Sequence, residues 1–129
     1  MKRLLRRFRR SQNGNATVEF TLWIPLIAGI IVGAFDLNIV LTTQSTMYDV
    51  ARDTARRVAI GQYDANGGQN YALSRLKFMN FKYGVDVAVG TDVVVTVQTY
   101  LSDVALLGVM GGVTKYKLTA AVTMRNENS

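Results

Sequence analysis

The hydrophobic pattern of the chain begins with one long apolar run, continues with helical spacing and ends with alternating spacing. The run from Phe20 to Phe35 contains no charged residue, and its extension to Leu41 gives roughly 20 residues of apolar character. At about 1.5 Å per residue, such a helix is about 30 Å long, the thickness of the hydrocarbon core of a bilayer. The pattern therefore predicts a membrane-spanning helix near the N-terminus.

The helical spacing continues beyond the apolar run. Apolar or small residues recur at steps of three, four or seven and form one predicted stripe: Leu37, Leu41, Tyr48, Ala51, Ala55 and Ala59. Asp53 is spaced to form ion pairs with Arg56 and Arg57, which favours a helix. Gly61 is a suitable C-terminal stop. We expect one long helix over about residues 16–60, which we call the spine helix.

A glycine-containing stretch follows the spine helix. Tyr63 to Asn70, which includes Gly67 and Gly68, reads as a flexible break. The next stretch, from Tyr71 to Tyr83, predicts a short amphipathic helix with one apolar face: Leu73, Leu76, Met79 and Tyr83. We interpret this helix as a cover for a small sheet, and contact with a membrane surface or a partner is the alternative.

The last third of the chain has the two-residue period of strands. Val85, Val87 and Val89 alternate with other residues, and Asp92 to Tyr100 is rich in β-branched residues. A final run has one apolar face: Tyr116, Leu118, Ala120, Val122 and Met124. We expect a three-stranded antiparallel sheet with one dry face covered by the spine helix, an α+β fold. The apolar, glycine-bounded loop from Ser102 to Val113 is expected to tuck under the sheet or to meet a partner.

Charge is distributed unevenly along the chain. Six basic residues lie in the first ten positions without an acidic one, and the other nine basic residues balance the nine acidic residues. The net charge of +6 therefore belongs to the leader, which excludes a basic nucleic-acid-binding face on the folded part. A basic leader stays in the cytoplasm, so the remainder of the chain is predicted to lie on the other side of the membrane.

The residue types argue against catalysis. The chain has no Cys and no His, which removes disulfides, thiol and imidazole catalysts and most zinc sites. Carboxylates occur singly, and the glycines at 108, 111 and 112 lack the strand-to-helix setting of a phosphate-binding loop. We expect no enzyme activity, no cofactor, no metal and no small-molecule substrate.

The junction between leader and apolar run carries the most specific motif. A polar break, Ser11-Gln12-Asn13-Gly14, is followed by four residues, then Glu19 and Phe20. A carboxylate at the edge of hydrocarbon is costly unless it faces an opposite charge or water. By themselves, these residues also fit a linker glycine and an acid favoured near a helix N-terminus. Pro25 is expected to bend the helix.

This junction resembles the processing site of type IV pilin-like precursors, and the wording GNATVEFTLWIP resembles more narrowly the TadE-like pseudopilins of tight-adherence (Tad, or Flp) pilus systems. The resemblance implies cleavage between Gly14 and Asn15 by a membrane-embedded aspartic prepilin peptidase at the cytoplasmic side. The resemblance also implies that Glu19 is the fifth residue of the mature chain and, beside Phe20, meets the new N-terminal amine of a neighbouring subunit during assembly.

The resemblance further implies a minor pilin or pseudopilin in the bacterial inner membrane, with a periplasmic C-terminal domain, which enters or helps to build an adhesive surface pilus. Its partners are the peptidase, other pilin subunits and the Tad inner-membrane machinery. The predicted organisation is a cleaved leader (1–14), a transmembrane half of the spine helix (15–41), an extracytoplasmic half (42–61) and a small α+β domain (62–129). The role as tip, initiator or filament subunit stays open.

Two other interpretations use the same residues. Val32-Gly33-Ala34 before Phe35 resembles a signal-peptide cleavage site, which would release a soluble domain. An uncleaved single-span binding module of the envelope is the second alternative. Within the span, Gly29 and Gly33 have the G-x-x-x-G spacing that permits close helix contact. Asp36 is expected to mark the exit from the bilayer, with a contact between membrane helices as its alternative.

Overall fold

The computed structural model describes residues 13–104 and 116–128, with side chains from Ala16 onward. Its elements are helix α1 (Asn13–Ala59), helix α2 (Ala65–Leu76), a 3-10 turn (Lys77–Met79), strand β1 (Tyr83–Val89), strand β2 (Asp92–Tyr100), the short helix α3 (Leu101–Val104) and strand β3 (Lys117–Arg125). The chain divides into two compact units between Phe35 and Asp36. The predicted α+β fold, a long helix followed by a short helix and three strands, is confirmed.

Helix α1 begins earlier than the sequence indicated. The predicted polar break included Asn13 and Gly14, but both residues lie inside the helix, whereas Ser11 and Gln12 lie outside the described residues. Once a helix exists, each added residue contributes one further hydrogen bond, so a long apolar helix extends through weak helix formers. The expectation of a helix-breaking segment is therefore wrong for Asn13 and Gly14.

Helix α1 ends at the predicted glycine. Gly61 has a φ angle of 75°, its N–H donates to Val58 O at 3.0 Å, and the N–H of Gln62 donates to Arg57 O at 2.9 Å. This pair of reversed hydrogen bonds is the Schellman motif, in which glycine adopts the left-handed conformation without a Cβ penalty. The predicted stop is confirmed.

Helix α2 begins before the predicted position. Asp64 is its N-cap, with Oδ1 accepting a hydrogen bond from the N–H of Gly67 at 2.7 Å. Gly67 and Gly68, expected in a flexible break, lie in the first turns of the helix. The capping aspartate compensates for the low helix propensity of the two glycines, and tertiary packing requires one of them.

The buried face of α2 also differs from the prediction. Gly68, Ala72 and Leu76 are buried at intervals of four, whereas Leu73 is 42% exposed. A Cβ built on Gly68 would lie 2.7 Å from Val58 Cγ2, so glycine permits close approach of α2 to the spine helix. The predicted face of α2 was partly wrong because the contact surface includes Gly68 and Ala72, and a hydrophobic pattern does not identify such small residues.

The sheet is an antiparallel meander in the order β1-β2-β3. Val87 pairs with Val95 and Val97 pairs with Ala120, so apolar residues of all three strands lie on one face. Alternate residues of β2 are buried, namely Val93, Val95, Val97 and Thr99. The predicted dry face is confirmed.

The spine helix, which is α1, packs on this dry face. Its residues Met47, Ala51, Ala55 and Val58 share one buried cluster with Ala72 and Leu76 of α2 and with the valines of the sheet. The predicted stripe is correct for Ala51, Ala55 and Ala59 only, because Leu37, Leu41 and Tyr48 are 49%, 65% and 44% exposed. Small residues and Met47 occupy the buried positions of the spine helix, because they allow the helix to approach the sheet closely.

The apolar loop lies largely outside the described residues, since 105–115 are not described. Its preceding residues form α3, in which Leu101 is 9% exposed and Val104 is fully buried. The N–H of Leu101 donates to Tyr116 O at 2.9 Å, which joins the two ends of the loop.

Candidate functional site

The residues predicted for processing and assembly all lie on the N-terminal part of α1. The backbone of Gly14 and Asn15 belongs to its first turn, and Glu19 and Phe20 follow one turn later. Glu19 lies four residues after Asn15, about 6 Å along the helix axis. Glu19 thus lies beyond the first turn of the helix, which contains no acidic residue.

The surface around Glu19 is apolar and exposed. Phe20 is 68% exposed, Trp23 53% and Ile30 65%, which is unusual for large apolar side chains that face water. By length and composition this helix is able to cross a membrane, and it is the one such helix among the residues described. This exposed apolar surface suggests membrane anchoring.

Pro25, Gly29 and Gly33 follow one another at intervals of four, so they share one side of α1. A Cβ built on either glycine meets nothing within 4 Å, so this side is open. Proline lacks the N–H that would bond to the carbonyl four residues before it. The bend at Pro25 and the helix contact at Gly29 and Gly33 stay predictions.

Asp36 is completely buried, although its neighbours Phe35 and Leu37 are 63% and 49% exposed. The residue takes part in an interaction within the protein. A buried carboxylate requires such a partner, because desolvation of an isolated charge is costly. The role of Asp36 as the exit of the span stays a prediction, and its burial was not predictable from the hydrophobic pattern.

A polar cluster between α1 and α2 was only half expected. Asp53 accepts hydrogen bonds from Arg57 Nε at 3.1 Å, as predicted, and from the hydroxyl of Tyr71, which the sequence did not connect to it. The Arg57 guanidinium lies 4.8 Å from the centre of the Tyr71 ring, and Tyr63 stacks on Tyr71 at 5.4 Å. The cluster holds α2 against the spine helix.

Mutual hydrogen bonding changes the acidity of the cluster. The Tyr71 hydroxyl is the main cause that lowers the pKa of Asp53 below its ordinary value of 3.8, with Arg57 assisting. The same hydrogen bond raises the pKa of Tyr71 above 10.0, because it would be lost on ionisation of the phenol. Each group thus holds its partner in the protonation state found at neutral pH. The cluster is structural in character.

Among the described residues, no three acidic side chains come close enough together to hold a metal ion. The surface with a specific chemical character is therefore the exposed apolar helix with its single acid, Glu19. This arrangement defines an α+β domain carried by an N-terminal helix of membrane-anchor type.

Comparison with known proteins finds a family model that is similar to part of this chain. The family model described as TadE-like protein matches residues 14–56, which confirms the resemblance over that range. The match and the apolar helix together support a membrane protein related to Tad pilus systems. It begins at Gly14 and ends within the spine helix, so it contains Glu19, Pro25 and both glycines. The search of curated proteins and the search of solved structures found no match.

Proposed function

We propose that this protein is a TadE-like minor pilin or pseudopilin of the bacterial inner membrane, which is cleaved after Gly14 and assists assembly of a Tad-type adhesion pilus. The observation that carries the proposal is the start of the family match at Gly14, together with Glu19 on an exposed apolar helix. The six basic residues of the leader hold the N-terminus in the cytoplasm.

Cleavage would change the charge at the membrane edge. Hydrolysis of the Gly14–Asn15 bond removes the basic leader and leaves an α-amine at Asn15, which is largely protonated at neutral pH. Glu19 is the acid nearest to this new cation in the sequence. At the edge of the hydrocarbon core, the Glu19 carboxylate of one subunit and the Asn15 amine of its neighbour compensate each other. This pairing reduces the free-energy cost of placing either charge there.

The peptidase site is tested by the mass of the mature protein. We express the full-length sequence in its native host or in cells that contain the matching peptidase. We expect the mature protein to begin at Asn15. Gly14→Asp should retain the leader, because a bulky, charged residue at the cleavage position blocks recognition. Asn13→Asp is the matched control and should still be cleaved. A mature chain with all 129 residues, or leader removal from the Gly14→Asp variant, would contradict the assignment.

The role of Glu19 is tested separately from cleavage. We expect Glu19→Gln to be cleaved normally but to lose incorporation into pilus fractions, because the neutral amide cannot compensate the amine of a neighbour. Glu19→Asp keeps the charge and should retain part of the incorporation. Equal incorporation of the Gln variant and the parent would contradict the assembly role.

One observation favours the uncleaved single-span alternative. Helix α1 begins at Asn13, so the Gly14–Asn15 bond lies within helical backbone. A peptide bond in a helix must be locally unwound before a protease can act on it. The glycine lowers the cost of that unwinding by about 1 kcal/mol relative to alanine, and for this reason we retain cleavage as the proposal.

A further inference from the structure

The outer face of the sheet, opposite the spine helix, carries a depression at one end. Its volume is about 340 Å³, and its lining includes Lys82, Gly84, Tyr100, Asp103 and Lys117. All of these residues belong to the second compact unit of the chain, so the depression does not depend on how the two units are arranged. We call it the lysine depression.

The register of the sheet places a tyrosine between two lysines in this depression. Tyr100 of β2 pairs with Lys117 of β3, and the Lys117 ammonium lies 5.2 Å from the centre of the Tyr100 ring. On the other side, the Thr99 hydroxyl donates to Lys82 O at 2.8 Å, which holds Lys82 beside β2. Neighbouring strands are about 5 Å apart, so the backbones of the two lysines are about 10 Å apart.

The floor of the lysine depression is open because one position has no side chain. Gly84 pairs with Gln98, and a Cβ built on Gly84 meets only Gln98 O at 4.0 Å. The space above Gly84 is therefore free, and the Gln98 side chain, which also lines the depression, offers both a donor and an acceptor.

The charges of the lysine depression fit a ligand with a phosphate and an amine. Neither Lys82, Lys117 nor Asp103 has an ion-pair partner among the residues described. Ammonium groups of lysines bind phosphate oxygens through charge-assisted hydrogen bonds. A carboxylate and a tyrosine ring both attract a ligand ammonium group, which Asp103 and Tyr100 supply here. A phosphodiester that also carries a primary amine uses all of these groups.

The lysine depression lies toward the beginning of the folded domain. Thr46 of the spine helix and Phe78 line a common surface hollow, and β1 starts soon after Phe78. The opposite end of the sheet is joined to the end of the spine helix, where the N–H of Glu127 donates to Ala59 O at 3.0 Å. The row of Tyr100 therefore lies at the Thr46 end of the domain.

This end of the domain is the one next to the membrane, because the apolar run is covalently joined to the domain at Asp36. The exit of the span is expected between Asp36 and Leu41, which is about 7–15 Å before Thr46 along the helix. The headgroup layer of one leaflet is about 5–8 Å thick. The lysine depression is therefore expected to border the headgroups of the membrane that anchors the chain.

We propose that the lysine depression binds the headgroup of an ethanolamine phospholipid from the surrounding leaflet. Lys82 and Lys117 hold the phosphodiester, and Asp103 and the Tyr100 ring hold the ammonium group. The bound headgroup fixes the sheet at the membrane surface. This inference uses the membrane anchor of the proposed function, but it requires neither cleavage after Gly14 nor a pilus.

The chemistry of the site is tested with headgroups that lack acyl chains and so do not enter the hydrocarbon around the span. Full-length protein in dodecyl maltoside micelles is titrated with glycerophosphoethanolamine, and binding is read from the amide chemical shifts of Gly84 and Lys117. Glycerophosphoglycerol, which has the phosphodiester but no amine, should bind at least about threefold more weakly. Equal binding of the two headgroups, or no shift with either, would overturn the proposal.

Substitutions separate the parts of the site. Lys82→Gln with Lys117→Gln should weaken both headgroups by about tenfold, whereas Asp103→Asn should remove only the preference for the amine. Gly84→Val fills the floor without a change of charge and should abolish binding. Lys77→Gln, at an exposed lysine outside the depression, is the matched control. An equal loss with Lys77→Gln, or unchanged binding in Gly84→Val, would contradict the assignment.

The source of the headgroup is tested in the membrane. Full-length protein with the photoreactive residue p-benzoylphenylalanine in place of Tyr100 is irradiated in cells, and the adduct is weighed by mass spectrometry. We expect the added mass of phosphatidylethanolamine, with its acyl chains. The same residue in place of Ile60, which is 50% exposed at the far end of the spine helix, should give no such adduct. An adduct of the soluble headgroup alone, an equal yield of phosphatidylglycerol adduct, or an equal yield from position 60 would overturn the lipid assignment.

The two proposals fail in distinguishable ways. The mass of the chain in the same sample reports leader cleavage, whereas the adduct reports the lipid contact. Cleaved chains without the lipid adduct overturn only the lipid site. The lipid adduct on uncleaved chains overturns only the peptidase site.

Discussion

At the scale of single residues, the fold depends on the absence of a side chain at Gly68. A Cβ there would lie 2.7 Å from Val58 Cγ2 and 3.4 Å from Thr54 Cγ2, and both atoms belong to the packed spine helix. Overpacking of this kind outweighs the gain in helix propensity that alanine offers over glycine. The residue that the sequence presented as a source of flexibility is therefore a determinant of close packing.

We expect Gly68→Ala to lower the free energy of unfolding by about 1–3 kcal/mol, because Val58 or the whole of α2 must shift. The measurement is urea denaturation of the full chain in detergent, followed by circular dichroism. Gly84→Ala is the matched control, since a Cβ there meets only Gln98 O at 4.0 Å. A Gly68→Ala variant as stable as the parent would show that the helices separate at no cost.

The hydrogen bond between Tyr71 and Asp53 predicts a pH dependence. The pKa of Asp53 is lowered in the folded state, so its contribution to stability is complete above pH 3.8 and is lost as the pH falls through the lowered pKa. We expect Tyr71→Phe to be less stable than the parent at pH 7 by no more than about 1 kcal/mol, since Asp53 is partly exposed.

The difference in stability between the parent and Tyr71→Phe should narrow below pH 3.8. Once Asp53 is protonated, its interaction with the Tyr71 hydroxyl no longer favours tyrosine over phenylalanine at this position. Unfolding curves at pH 7 and pH 2.5 for parent and variant measure it. Tyr100→Phe, which changes an exposed tyrosine, is the control and should leave the pH dependence unchanged. A constant difference between Tyr71→Phe and the parent across this range would contradict the assigned cause.

At the scale of elements, the C-terminal end of the spine helix is completed by the last residues described. The N–H of Glu127 donates to Ala59 O at 3.0 Å, and Asn128 Nδ2 donates to the same carbonyl at 3.2 Å. The final turn of a helix leaves carbonyls without partners inside the helix. The chain segment after β3 therefore satisfies one of these carbonyls and joins β3 to the spine helix.

We expect Asn128→Ala to cost about 0.5–1.5 kcal/mol and to speed amide exchange in the last turn of the spine helix. The side-chain amide is lost, whereas the backbone bond from Glu127 remains. Amide hydrogen exchange with mass spectrometry measures the effect. Asn70→Ala, an exposed position on α2, should leave exchange in that turn unchanged. Unaltered exchange in the Asn128 variant would show that the amide contributes nothing.

Elements with a strong hydrophobic period were predictable from the sequence, whereas elements that pack through small residues were not. The alternation in β2 and β3 identified the dry face, and Gly61 identified the end of α1, because backbone conformation alone decides both. The start of α2 and the buried face of Gly68 and Ala72 were missed, because packing between small residues leaves no hydrophobic signal. Tyr71 could not be paired with Asp53 from sequence, since the two residues are 18 positions apart.

At the scale of the whole molecule, the N-terminal motif was more predictable than the surfaces of the folded domain. A membrane segment and a leader each consist of contiguous residues, so the Gly14–Glu19 motif and the apolar run could be identified from the sequence. The family match confirmed the resemblance. The polar cluster of Asp53, Arg57 and Tyr71 combines residues from the spine helix and α2, and only the fold brings these together.

Membrane anchoring by the apolar part of α1 gives the last prediction. Ile27 lies near the middle of the run and is 48% exposed, so it would face lipid. An arginine at the centre of a span costs about 2.5–3.5 kcal/mol on the insertion scale. We therefore expect Ile27→Arg to reduce the fraction of full-length protein that sediments with membranes and resists carbonate extraction. Leu73→Arg, at a similarly exposed apolar position of α2, should remain in the membrane fraction. If both variants are extracted alike, or if the parent itself is released by carbonate, the exposed apolar helix has some purpose other than anchoring.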